Sequence, residues 1–369
     1  MELDALPQPQ TLMEAIRVFS APDVAFNTMV KLRWPSGVHC PICGHHNPRF
    51  IRTRQVWECK NRHAKRRFSV KTGTIFEDSP LPLDKWFCAI WLIGNCKNGI
   101  SSLEVHRALG ITQKSAWFML HRVRLAMQTG NFEKADGTAE ADETLIGGLA
   151  KNMHKDKREK KITGTGASGK QVVMGILSRG SGKNKSRVLK AKRITDTTKE
   201  TLHAEIKAAV ATGATIYTDS HSGYGGLAEE YVHEVVNHAV EYVRDHVHTN
   251  GMENFWSLLK RSIKGTYVSV MPPHLDRYVD EQAFRFNERD KDDGGRFRMV
   301  VSAVEGKRLT YRELVGRSAA EADAAGIGDR GRANDGQVSR PDTSAPARES
   351  KRGQAEGGRV EEGAPQAPI

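Results

Sequence analysis

The chain has 369 residues, 38% hydrophobic and 27% charged, which supports two or three modules with at least one sizeable core and excludes a coreless, fully disordered polymer. Its 56 Lys+Arg against 44 Asp+Glu give a formal net charge of +12, an excess that favours a polyanionic partner, nucleic acid first, because neutralised phosphates release condensed counterions. The N-terminus MELDALPQPQTLMEAIRVF lacks the basic start and apolar run of a secretory signal, and no stretch approaches about 18 uninterrupted apolar residues, so a cytoplasmic chain that spans no membrane is expected.

Residues 1–36 form a helical lead-in, with Leu12, Ile16 and Phe19 at helical spacing, a break at Ser20-Ala21-Pro22, and a second run from Val24 to Leu32. Residues 37–78 change character, with paired cysteines, short aromatic and β-branched runs and many basic residues. Cys40-Pro-Ile-Cys43, followed by Cys59 and His63, supplies four ligands of the softness and spacing that a tetrahedral zinc takes, with Trp57 and Phe68 as a small core. His45 and His46 compete for the fourth position. Five cysteines in so long a chain suit metal binding in a reducing compartment better than a disulfide framework, and Cys88 and Cys96 read as buried free thiols. The ribbon's basic run, Lys60, Arg62, Lys65, Arg66 and Arg67, favours DNA as its partner.

Residues 79–130 return to helical spacing, and Leu109-Gly110 places a turn between two helical runs, the signature of a helix-turn-helix. In the second run Ala116, Trp117, Leu120, Val123 and Met127 make one apolar face. That leaves Gln113, Lys114, Ser115, His121, Arg122 and Arg124 towards solvent or a DNA groove, of which Lys114, Arg122 and Arg124 would carry DNA contacts. A plain helical hairpin is the simpler account of the same pattern.

Residues 135–300 read as strand, strand, strand, helix, strand, strand, helix: GTAEADETLIG, KQVVMGILSRG, SRVLKAKRI, TKETLHAEIKAAV, ATIYTDS, the region around HEVVNHAVEYV, and GMENFWSLLKRSI. Such an order predicts an α/β mixed sheet with flanking helices. The Lys- and Gly-rich stretch between Leu149 and Gly169 reads as a mobile loop, and residues 316–369 hold too few large apolar groups to fold.

Asp142 lies in a strand, Asp219 ends another, and Glu253 opens an amphipathic helix. Hard oxygen ligands from separate elements are what two-metal phosphoryl transfer requires. On the helix, Met252, Phe255, Trp256, Leu259 and Ile263 would be buried while Glu253, Ser257, Lys260 and Lys264 share a stripe, so Lys260 faces the way the acid does and could contact a phosphate.

These residues together resemble the zinc-ribbon insertion-sequence transposases of bacteria and archaea, relatives of the Merlin elements. The likeness runs from about Cys40 to Asn287 on CPICG, FSVKTGTIFEDSPLPLDKW, EADETLIGG, YTDSHSGYGGL, HTNGMENFWSLLKR and FRFNER. It implies a ribonuclease H-like catalytic fold and two Mg2+ or Mn2+ ions held by a catalytic set Asp142, Asp219 and Glu253, with Lys260 as an associated basic residue. It also implies double-stranded DNA partners, the element's terminal repeats and the target, a homo-oligomer in the synaptic complex, and a place on the nucleoid. Some members use Asn for the third acid, which leaves Asn250 beside Glu253 as a candidate, and His248 is expected near the metal site. The alternatives are a domesticated DNA-binding regulator without catalysis and a ribonuclease H-like nuclease.

Overall fold

Two helices lead into the ribbon in the computed structural model, which describes residues 7–128, 134–148, 155–156, 159, 162, 169–180, 185–236 and 248–316. α1 (Leu12–Phe19) begins at Thr11, whose side chain accepts the Glu14 N–H, and α2 (Pro22–Arg33) begins on a proline whose missing N–H costs nothing in a first turn. β1 (Arg49–Ile51), β2 (Val56–Glu58) and β3 (Arg67–Ser69) form an antiparallel meander that sets Trp57 opposite Phe50 on one side and Phe68 on the other. Trp57 also stacks on Phe26 of α2, 5.6 Å between ring centres, which fixes the ribbon to the lead-in. α3 (Leu83–Asn95) follows, then α4 (Ser102–Leu109) and α5 (Gln113–Met127). Ser101 and Glu104 close a capping box on α4; Gly110, at φ 59°, ends it in the left-handed region where most side chains are strained.

The second half is a mixed five-stranded sheet with helices, in the order read from the sequence. β4 (Thr138–Ile146), β5 (Gln171–Ser178) and β6 (Arg187–Ile194) run antiparallel; after α6 (Lys199–Ala209), β7 (Thr215–Asp219) pairs parallel with β4 and β8 (Val232–Val236) parallel with β7. The order across the sheet is β6-β5-β4-β7-β8. Of the stretch HEVVNHAVEYV only the first part is seen as strand; residues 237–247 lie outside the described residues, as do nearly all of the expected mobile loop and the tail from 317.

Strand side chains alternate between faces, so β4 serves two cores at once. Ala139 and Ala141 pack with Leu202 and Ile206 of α6, whereas Ile146 joins Val173, Leu177 and the apolar stripe of α7 (Asn250–Ser262). Gly175 lets α7 approach: a Cβ there would lie 2.2 Å from Met252 and 2.8 Å from Trp256. Beyond a π turn at Ile263–Tyr267 come α8 (Leu275–Asn287), α9 (Asp293–Ser302) and α10 (Tyr311–Val315). α8 lies along β6, where the Asn287 amide accepts the Val188 N–H at 2.8 Å and donates to the Val188 carbonyl at 2.9 Å, and Asp276 accepts the Arg193 N–H at 2.7 Å.

α1 to α5, the ribbon and α9 share one hydrophobic core, in which Phe19, Phe87 and Trp91 all meet Phe297 of α9. This arrangement corrects the reading of α5 as a helix with one buried face. His121, Arg122 and Arg124 are buried, at 0%, 4% and 1% exposure, so Arg122 and Arg124 are not presented to a DNA groove. Arg122 Nε donates to the Leu309 carbonyl and Arg124 Nε to Glu281 of α8 at 2.6 Å. Cys88 and Cys96 are free and half-buried, with burial pushing both thiols up.

Candidate active site

The Cys40-Pro-Ile-Cys43 knuckle turns back through the Gly44 N–H to the Cys40 carbonyl, and the β2 to β3 connection returns Cys59 and His63 to it. The ligand atoms of Cys40, Cys43, Cys59 and His63 all lie within 4.8 Å of one another. Cys40 Sγ is 3.5 Å from His63 Nε2, and Cys43 Sγ 3.6 Å from Cys59 Sγ. The Cys43 thiol is drawn down to about 7, chiefly by the backbone N–H of His45. Three sulfurs and an imidazole at this spacing fit a structural Zn2+. Of the competing histidines, His46 pairs with His39 across a β-bridge and neither it nor His45 belongs to the cluster.

The sheet brings Asp142 and Asp219 close enough to feel each other's charge. The β4/β7 register pairs Glu140 with Tyr217, and two further residues along each strand align Asp219 with Asp142 on the face that α7 covers. Asp142 is pushed up to about 7, first by burial, then by the neighbouring charges of Glu143 and Asp219. Burial also raises Glu143, which the sequence reading did not single out and which accepts the Tyr224 hydroxyl. The Trp256 indole N–H donates to Asp142 Oδ2 at 2.9 Å, and the Glu143 N–H donates to Oδ1 at 2.9 Å. Glu253 stands exposed on the first turn of α7, one turn before Trp256, and its N–H donates to the Thr249 carbonyl at 3.0 Å. Asn250 lies three residues earlier on the same helix, also exposed, so the two candidates for the third ligand share one face. Lys260 is half-buried two turns on.

Among the described residues only the zinc ligands are drawn together tightly enough to hold an ion; the acids are more loosely spaced. Their chemistry nevertheless suits a divalent cation. Asp142 and Glu143, both partly buried, have their proton affinity raised by burial and then by the nearby Asp219 charge, and a hard cation would remove that repulsion.

Glu140 is a second residue that ties α7 to this strand, and spacing alone gives no sign of it. It is 1% exposed, accepts the Met252 N–H in the first turn of α7 at 2.9 Å, and pairs with Arg179 at 2.7 Å. Arg179 in turn donates to the His248 carbonyl at 2.6 Å and lies over the Tyr217 ring. A carboxylate here is favoured by the helix dipole and satisfies a first-turn N–H. His248 thus sits against the Glu140–Arg179 pair, with burial and then the Arg179 charge lowering its pKa.

On the ribbon, Lys60, Arg62, Lys65, Arg66 and Arg67 are all exposed, as is Lys114 at the start of α5. Arg67 reaches Glu58 at 3.3 Å, and Lys114 lies over Tyr311 at 4.7 Å. No described helix is long and apolar enough to cross a membrane.

Comparison with known proteins agrees with this layout. Residues 134–287 match the ISXO2-like transposase domain and residues 23–62 the transposase zinc-ribbon domain. A protein of transposable element ISH50 from Halobacterium salinarum is 29% identical over 289 residues, covering 74% of this chain and 95% of that relative. A transposase-like protein of Haemophilus influenzae is 30% identical over 91 residues, covering 24% of this chain and 73% of that relative.

Proposed function

The chain belongs to the zinc-ribbon, ISXO2-like transposase family, and from that premise we propose that it cuts DNA at the ends of a mobile element and joins the freed 3′ hydroxyl to target DNA. The observation that carries this reading is the placement of Asp142 and Asp219 on one face of the sheet beneath the helix that bears Glu253. Three antiparallel strands followed by two parallel ones, with helices on both faces, support a ribonuclease H-like catalytic domain over 135–300.

Asp142, Asp219 and Glu253 would hold two Mg2+ or Mn2+ ions. Ions so held activate the attacking oxygen and stabilise the leaving one. The protein's own contribution is placement. Trp256 fixes the Asp142 carboxylate, and Glu140 sets the start of the helix that carries Glu253. Lys260 contacts a phosphate beside the scissile bond. The exposed ribbon cations and Lys114, at the head of a helix-turn-helix formed by α4 and α5, bind the terminal repeats within a homo-oligomeric synaptic complex.

The test is incubation of the purified chain with its element ends, Mg2+ and a plasmid target, alongside Asp142→Asn, Asp219→Asn and Glu253→Gln. Each variant should bind end DNA as the parent does yet lose on the order of a thousandfold or more in cleavage, about 4 kcal/mol of barrier. Full activity in all three would leave a DNA-binding regulator as the better account. Activity kept in Glu253→Gln but lost in Asn250→Ala would move the third ligand to Asn250.

A further inference from the structure

Two arginines in the interior share one acid. Glu281, 0% exposed, accepts from Arg124 Nε at 2.6 Å and from Arg285, one turn on, and the Tyr267 hydroxyl donates to the same carboxylate. Neither guanidinium can shed its proton, so the group holds one net positive charge that no other ion pair among the described residues answers. The Arg285 Nε–H has no hydrogen-bond partner. An uncompensated charge and an orphaned donor in a protein interior are costly, and both favour an anion close by.

Arg285 borders a cleft of about 300 Å³ between the end of α3 and helices α7, α8 and α9. Asn254 and Leu258 line its α7 side, Phe286 and Arg289 its α8 side, and Lys97 its rim, with no carboxylate in the wall. Lys97 and Arg289 make no ion pair among the described residues; Arg289 donates once to the Phe286 carbonyl and lies 4.5 Å over the Phe286 ring. Arg296, also in the wall, is occupied by Asp293 and Asn95. The volume falls at the low end of small-ligand pockets, roughly 300–1,000 Å³, enough for one nucleotide unit. Asn254 directly follows Glu253, so the cleft is bordered by the same helix that carries the acid.

We propose that the cleft binds one nucleotide of the substrate DNA strand, its phosphate held by Lys97 and Arg289 and its sugar lying on Leu258. This rests on the transposase reading and adds to it a second contact beside the acids, unrelated to the ribbon and to α5.

Anisotropy of a labelled duplex carrying the element end, titrated with the full-length chain from about 50 to 200 mM KCl, reads the number of phosphate contacts as a salt slope. Lys97→Gln with Arg289→Gln should lower that slope by roughly 1 to 2 and weaken binding about tenfold at the low-salt end. Leu258→Trp, which fills the cleft without changing charge, should reproduce the loss, whereas Arg17→Gln on α1 should not. Melting temperatures verify that each variant is folded. A parental slope in the double variant, or in Leu258→Trp, overturns the cleft as the site while leaving the transposase reading intact. A parent chain that binds no duplex at the lowest salt overturns that reading and the cleft with it.

Discussion

All four zinc ligands come from residues 40 to 63, on a knuckle and the turn after β2, whereas the acids Asp142, Asp219 and Glu253 come from two strands and a helix with α6 and the rest of the sheet between them. The thiols and imidazole already lie at ligand spacing, held by a short meander whose aromatic core is Trp57 and Phe68. The carboxylates depend on register and on one helix being docked at the right height. A local site is specified by spacing; a composite one is specified by whatever anchors its distant parts, here Glu140 and Trp256.

That contrast can be broken most forcibly at the zinc. Cys40→Ala should lose the ion and unfold the ribbon, since structural zinc supplies on the order of 10 kcal/mol to such units. Metal analysis of the purified variant and proteolysis across residues 37–78 would check this, with His46→Ala expected to retain full zinc. Loss of zinc without loss of ribbon stability would show that the aromatic core suffices.

The composite site is tested by its anchor. Glu140→Gln keeps an acceptor for the Met252 N–H but removes the charge opposite Arg179, so cleavage should fall about ten- to a hundredfold, or roughly 1.4 to 2.7 kcal/mol of barrier. Mn2+ affinity, measured by spin resonance, should weaken with it, while zinc content and end-DNA binding stay at parental values. Unchanged Mn2+ affinity and turnover would mean that α7 is placed by its apolar stripe alone.

The smallest effect separates the zinc site from the helical core under acid. His121 is buried between Trp117, His274 and Tyr278 with neither ring nitrogen hydrogen-bonded, and burial followed by the Arg124 charge pulls its pKa down to about 2. Its folded pKa lies below the unfolded value near 6.5, so the unfolded chain takes up the proton first. The contribution is whole above about pH 6.5 and is lost as pH falls towards 2, about 1.4 kcal/mol by pH 5.5. Denaturant midpoints at both pH values should therefore differ less in His121→Phe than in the parent, with zinc-loaded protein used throughout. An equal pH response in the two proteins would assign the acid sensitivity elsewhere.

The zinc ligands and the element order of the sheet were legible because ligand spacing and strand alternation are local signals. The proposed acids are picked out by their places, Asp142 within a strand, Asp219 at the end of one and Glu253 at the start of a helix, together with the family likeness, and none of these signals shows the contacts around them. Glu140 reads as one more buried-face residue on β4 until the start of α7, over a hundred positions away, is placed on it. The misreading of Arg122 and Arg124 has the same origin. Helical periodicity predicts one apolar face, but α5 is enclosed by other helices, and the acid that makes Arg124 tolerable in the interior stands at position 281.

The side chains of α8 that bond the outer edge of β6 have a further consequence. An edge strand offers a row of unpaired amides on which a second polypeptide can template itself. At Val188 both backbone groups are taken by Asn287, and at Arg193 the N–H is taken by Asp276, so an incoming strand finds its partners already engaged. On this flank the chain is thereby guarded against sheet-to-sheet polymerisation wherever copies of it are held close together.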